Sequence, residues 1–176
     1  MKARFLIFCV VIIGITTLAQ ASDIEIKQPA RSYGQLIHVP AYSFVYSYVK
    51  GHQFNLAVTL SIRNTDLTND ILVESVKYYN IFGQLIKECQ DQPLRVKPGA
   101  CSQYIINESD PMGGSGPSFR VIWRAEAAVF QPIVETVMIG TKSQQGISFT
   151  CQGRILEEFN PAAPHSADPT ANKKSQ

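Results

Sequence analysis

The chain is short of almost everything that makes a catalytic or metal site easy to recognise. Its 176 residues include three histidines, three methionines, four cysteines and one tryptophan, and only 17% are charged. His38, His52 and His165 are scattered, with no His-x-x-x-His pair to present two ligands to a zinc ion. No Cys-x-x-Cys spacing occurs, so no thiol is activated by that motif. The main apolar run, Phe5 to Ile15, is about half the length needed to span a bilayer. Amphipathic helical periodicity is also missing, which argues against a parallel α/β sheet with its crossover helices.

What is present begins at the N-terminus. Lys2 and Arg4, the apolar run, and Ala19-Gln20-Ala21 follow the charged, apolar and small-residue order of an export signal, so residues 1–21 are expected to be a cleaved signal peptide and Ser22 the mature start. No cysteine follows the run where a lipid anchor would need one. The protein is therefore expected to be exported, periplasmic or secreted, with no stable membrane insertion after cleavage. Cleavage removes two of 16 basic residues and none of 14 acidic ones, leaving 14 against 14 and a mature net charge of zero. That balance gives no electrostatic reason to expect nucleic acid as a partner.

Cys9 leaves with the peptide; Cys89, Cys101 and Cys151 remain. In an oxidising compartment one pair is expected to bridge. Cys89 and Cys101 are the preferred pair, because Pro93 and the Pro98-Gly99 turn between them bring the ends of a short segment together. A loop of that size contributes about 3 kcal/mol in the chain-entropy model.

The mature sequence reads as a succession of short strands. Phe54, Leu56, Val58, Leu60 and Ile62 alternate with smaller or polar residues, a period of two that puts one face in a core. Asn64-Thr65-Asp66 and the polar residues to Asp70 end that strand, since Asx side chains favour turns. Further strands are expected over residues 35–39, 42–49, 71–79, 84–88, 94–97, 102–107, 118–126, 133–141 and 147–156, each bounded by turn-forming residues. The predicted fold is all-β, an antiparallel immunoglobulin-like β-sandwich of about eight strands. It occupies residues 35–156, after a flexible segment at 22–34 and before a disordered tail at 157–176 whose Pro, Ala, Ser and Asn cannot form a core.

Two stretches are candidate binding elements. Glu108, Ser109 and Asp110, followed by Gly113, Gly114, Ser115 and Gly116, form a loop with two carboxylates for a hard cation and glycines that free the backbone to approach a ligand. Ser115 does not complete a hydrolase elbow, because Pro117 stands where that motif needs glycine. Tyr42, Phe44, Tyr46 and Tyr48 place four aromatics on one side of a strand. Alternation of this kind usually marks the interior, so this is expected to be the core face; exposed, it would be a stacking surface.

Trp123 shares its phase with Phe119, Val121 and Ala125 and is expected to anchor the core. Glu135 interrupts Ile133, Val137 and Ile139, and a buried carboxylate there would need Arg120 or Arg124 as partner. Cys151 falls in phase with Ile147, Phe149 and Ile155, which predicts a buried, inert thiol.

Several segments resemble an uncharacterised family of small exported bacterial proteins, domain of unknown function 3124. They are His38-Val39-Pro40-Ala41-Tyr42-Ser43, the run from Phe54 to Asp66, Glu108-Ser109-Asp110 with Gly113-Gly114-Ser115-Gly116, Trp123-Arg124-Ala125, and Ile139-Gly140-Thr141 with Gln145 to Thr150. The resemblance spans most of residues 35–156 and implies no activity. The Cys89 and Cys101 pair is not part of that pattern.

Together these features predict an exported, non-catalytic binding or assembly module without a cofactor, its partner a protein or small ligand of the cell envelope. A periplasmic hydrolase using the 108–116 loop and a calcium-stabilised adhesion-like domain are the alternatives.

Overall fold

A computed structural model describes residues 29–46, 51–142 and 145–160. The expected signal peptide, Tyr48 and the tail beyond 160 lie outside these residues. The described chain is all strand, with no helix: β1 (Arg31–Pro40), β2 (Phe44–Tyr46), β3 (Gln53–Asn55), β4 (Ala57–Arg63), β5 (Ile71–Tyr79), β6 (Leu85–Glu88), β7 (Leu94–Val96), β8 (Cys101–Ile106), β9 (Ser118–Phe130), β10 (Ile133–Lys142), β11 (Gln145–Gln152) and β12 (Arg154–Glu158). These make a six-stranded sheet, β12-β1-β9-β5-β6 with β7 also on β5, a four-stranded sheet, β11-β10-β4-β8, and the β2-β3 hairpin. Every pairing is antiparallel.

The two larger sheets form a sandwich because alternation gives each one an apolar face. Ile37, Val39, Val76, Tyr78, Phe119, Val121 and Trp123 from the larger sheet meet Val58, Leu60, Ile62, Ile106, Val134 and Met138 from the smaller in one buried cluster. Each such side chain contributes about 1.5–3 kcal/mol on burial. Trp123 is fully buried, as its phase predicts, and its indole Nε1 donates to Gln35 Oε1 at 3.3 Å. Gln35, itself fully buried, donates in turn to the Glu158 carboxylate, which also accepts from Ser32 Oγ at 2.6 Å. This chain of bonds satisfies the polar atoms beside the indole and fastens the last strand to the first.

The two-sheet antiparallel plan agrees with the sequence, whereas the strand count and several boundaries do not. Among the described residues twelve strands form, where the sequence offers ten strand segments and a sandwich of about eight. β1 begins at Arg31, inside the segment expected to be flexible, and β12 reaches Glu158, because β1 pairs with β9 on one side and with β12 on the other. The long strand expected from Phe54 divides at Leu56, whose amide donates to Ser43 O at 2.8 Å.

The strand expected over 147–156 changes sheets at Gly153. A Cβ there would meet Ile37 Cγ2 at 2.6 Å and Val134 O at 3.0 Å, so only glycine lets the chain pass between the sheets at this corner.

The turn after β4 is a knot of buried polar groups. Asn64, fully buried, donates from Nδ2 to Asn69 O and Val96 O and accepts from the Asp66 amide. Thr65 Oγ1 donates to Gln131 O at 2.8 Å. Asp66 is 2% exposed; its Oδ1 accepts from the amides of Thr68 and Asn69, and its Oδ2 from the Phe130 amide at 3.0 Å. These amides, led by that of Thr68, hold its carboxyl well below the usual carboxylate range despite burial.

An Asp66→Asn substitution is expected to lower stability by about 2 kcal/mol at neutral pH, because the side-chain amide cannot accept at both positions. The native pKa is depressed, so this contribution is present above the unfolded value of 3.8 and is lost as pH falls through the lower native one. Urea midpoints of the two proteins should therefore converge in acid; a constant difference would show that charge plays no part.

Candidate functional site

The aromatic strand faces opposite to expectation. Ser43 is buried and Val45 packs on the core, while Tyr42 and Tyr46 are 41% and 63% exposed. Ser43 Oγ lies 3.4 Å from the Tyr78 hydroxyl, so the small residues of this segment fit where the interior is already filled by Tyr78. The aromatics pair outside: Phe44 with Tyr46 edge to face at 5.5 Å, and Tyr42 with Phe149 at 5.8 Å.

The 108–116 loop is held close to the same end of the sandwich. Asp110 Oδ1 accepts from the Met112 amide, the Ile81 amide donates to Gly113 O, and the Ala41 amide donates to Pro117 O. A Cβ on Gly113 would land on the Tyr78 hydroxyl, so glycine is required for the loop to seat. Glu108 and Ser109 are exposed. His52 is exposed, immediately before β3. No three His, Cys, Asp or Glu side chains among the described residues gather as a metal site.

What the fold does bring together is Tyr42 from one candidate segment and Gly116 from the other. Both line a hollow of about 330 Å³ with His38, Tyr79, Ser118 and Arg120. His38 is the register partner of Arg120 across β1 and β9, and both point away from the core because their neighbours Val39 and Phe119 point in. The Arg120 guanidinium lies 4.5 Å from the Tyr79 ring centre, a cation–π contact that fixes its direction. Among the described residues no carboxylate lines the hollow. Burial first, and the Arg120 charge second, hold the His38 imidazole below its usual value.

This site overturns one sequence expectation. Glu135 stands on the outer face of the four-stranded sheet beside Ser61 and Gln152, while Arg120 and Arg124 belong to the other sheet. Arg124 instead pairs with Glu74 at 3.2 Å. A larger hollow of about 610 Å³ surrounds that pair, but its cations are internally neutralised: Arg95 also meets Asp70 at 3.6 Å and Glu126 at 3.5 Å.

The expected Cys89–Cys101 bridge is not formed; all three described cysteines are free thiols. Cys101 shares the outward phase of Arg63 and Gln103 and lies 3.1 Å from Ser61 Oγ, whereas Cys89 packs against the core. The sheet stands between the two side-chain directions. Cys151 packs against the core in phase with Ile147 and Phe149, and burial raises the pKa of both Cys89 and Cys151, which keeps them protonated.

In the sequence His38 is one of three scattered histidines and Arg120 a candidate partner of Glu135. Strand phase alone points both outward; their pairing is a matter of register.

An Arg120→Ala substitution is expected to raise the His38 titration midpoint toward 6.5, read by NMR; an unchanged midpoint would remove Arg120 as a cause. Because the native state resists protonating His38, stability is expected to fall as pH drops below 6.5 toward the depressed native value. His38→Gln should flatten this slope in urea midpoints.

No curated protein matches the chain. A solved structure titled "Crystal Structure of Thermotoga maritima 1070" is similar with a TM-score of 0.41 and 9% identity, over 71% of this chain and 97% of that one. The family model described as "Protein of unknown function (DUF3124)" matches residues 34–156, from within β1 to within β12 and including every residue named above as lining the hollow, and the chain belongs to that family.

Proposed function

We propose that this protein is an exported, non-catalytic binding or assembly module of the cell envelope whose ligand seats in the His38–Arg120 hollow. One observation carries the reading: a recess joining an imidazole, a guanidinium, aromatic rings and hydroxyls, without a carboxylate in its wall. Such a set orients and holds a ligand. Among the described residues none of its hydroxyls is hydrogen-bonded to His38, as a nucleophile for acyl transfer would need to be. The Arg120 side chain is already fixed against Tyr79, so little freedom is lost when it meets a ligand.

Export rests on the N-terminal pattern of Lys2, Arg4, the apolar run and Ala19-Gln20-Ala21. An oxidising compartment suits the thiols as found, since Cys89 and Cys151 are shielded by the core.

Two measurements test this. The mass of the protein recovered from the envelope fraction should correspond to a chain starting at Ser22; an intact Met1 would refute processing. In a thermal-shift panel of sugars, carboxylates and phosphate esters, a compound that raises Tm should lose its effect in Ser118→Trp, which fills the hollow, and in Tyr42→Ala. A shift preserved in both variants, or no shift with any compound, would count against the hollow.

A further inference from the structure

The strand register sets basic side chains in a line across the outer face of the six-stranded sheet. Arg154 on β12 stands opposite His38 on β1, His38 opposite Arg120 on β9, and Arg120 opposite Lys77 on β5, which is itself opposite Glu88 on β6. Adjacent strands lie about 4.8 Å apart, so Arg154 and Arg120 are separated by about 10 Å with the imidazole between them. Lys77 is engaged with Glu88 at 3.8 Å. Arg120 and Arg154 form no ion pair among the described residues, and Arg154 is exposed.

Among the described residues no other charged group pairs with Arg120 or Arg154. Glu157 is exposed and stands opposite Leu36, beside the line rather than in it. Arg124 is held by Glu74 and lies over the Phe159 ring at 4.2 Å. The neutral balance of the mature sequence therefore hides a local positive stripe, and its Arg120 end opens into the hollow with Tyr42, Tyr79 and Ser118.

We infer that the stripe and the hollow together bind a linear acidic polysaccharide laid across the strands, with one sugar ring against the exposed Tyr42 and successive carboxylates at Arg120, His38 and Arg154. The inference rests on the binding-module reading above and extends it to a ligand class. A polymer with one carboxylate per ring repeats its charge at close to the inter-strand distance. Tyrosine rings offer a flat apolar face to a sugar and a hydroxyl at the edge to its hydroxyls. Guanidinium groups suit carboxylates because they donate two parallel hydrogen bonds. Two unpaired guanidiniums this far apart are too sparse for nucleic acid, which needs a dense basic surface.

Isothermal titration of the processed protein with oligogalacturonate of defined length tests this, with polyphosphate and the carboxyl-reduced, neutral oligosaccharide as comparison arms. Oligogalacturonate is expected to bind, to weaken about tenfold in Arg120→Ala and again in Arg154→Ala, and to weaken with added salt. Arg154→Lys should recover part of the loss. Tyr42→Ala should weaken the acidic sugar and leave any polyphosphate binding unchanged. Arg154 lies outside the hollow and is exposed, so its substitution should leave Tm unaltered.

No binding of oligogalacturonate, full affinity in Arg154→Ala, or polyphosphate binding as tightly would each overturn the inference. Binding of the neutral oligosaccharide through Tyr42 and Ser118, with Arg154 silent, would keep the hollow as a binding site and reject the acidic ligand. Failure of all three probes, together with a silent thermal-shift panel, would reject both.

Discussion

A buried negative charge governs how one end of this sandwich is assembled. Asp66 is almost wholly removed from water, and an unpaired carboxylate in such a place would be prohibitively costly. It persists because the amides of Thr68, Asn69 and Phe130 converge on it, with Arg31 Nη1 at 3.6 Å. Those donors come from the turn after β4, the far end of β9 and the start of β1, so the charge is stable only when strands from both sheets are in place. Asn64 and Thr65 act in the same way on β7 and on the turn between β9 and β10. Three consecutive polar residues therefore clamp the ends of both sheets, and with one end fixed the register along β1 and β9 follows.

That register is what makes a site at the opposite side of the larger sheet. β1 and β9 pair from Gly34 with Arg124 to Pro40 with Ser118 without interruption, which puts His38 beside Arg120. A slip of one residue would exchange the faces, driving Arg120 into the core and Phe119 into water. The buried Trp123, Val121 and Phe119 exclude that alternative energetically. The same core that gives the protein its stability also aims its unpaired cations outward, and the loop seated by Gly113 closes the recess from above.

Much of the fold was legible in the sequence, and the reasons differ by element. The alternation in β4 and β9 announced strands and identified Trp123 as interior, because period-two burial is a local property of the chain. The Asn64-Thr65-Asp66 stop was read as a turn, although its buried hydrogen bonds depend on partners about 30 and 65 residues away. Tyr42, Phe44 and Tyr46 misled for a related reason. Both faces of that segment contain residues able to be buried, and Tyr78 already occupied the interior, leaving room only for Ser43 and Val45. Cys89 and Cys101 are close in sequence, yet their side chains leave different faces, a distinction no loop length reveals.

The sequence by itself determined that the protein is all-β, where most strands run, and which residues within each strand share a face; these follow from the two-residue repeat of an extended chain. Tertiary structure alone decided that the last strand crosses between sheets at Gly153, that Glu135 lies on a different sheet from Arg120 and Arg124, and that His38, Arg120 and Arg154 stand in line. The physical reason is the same in each case. Phase along one strand is set by covalent geometry, whereas neighbours across strands are set by the packing and hydrogen-bond satisfaction of residues far apart in the chain.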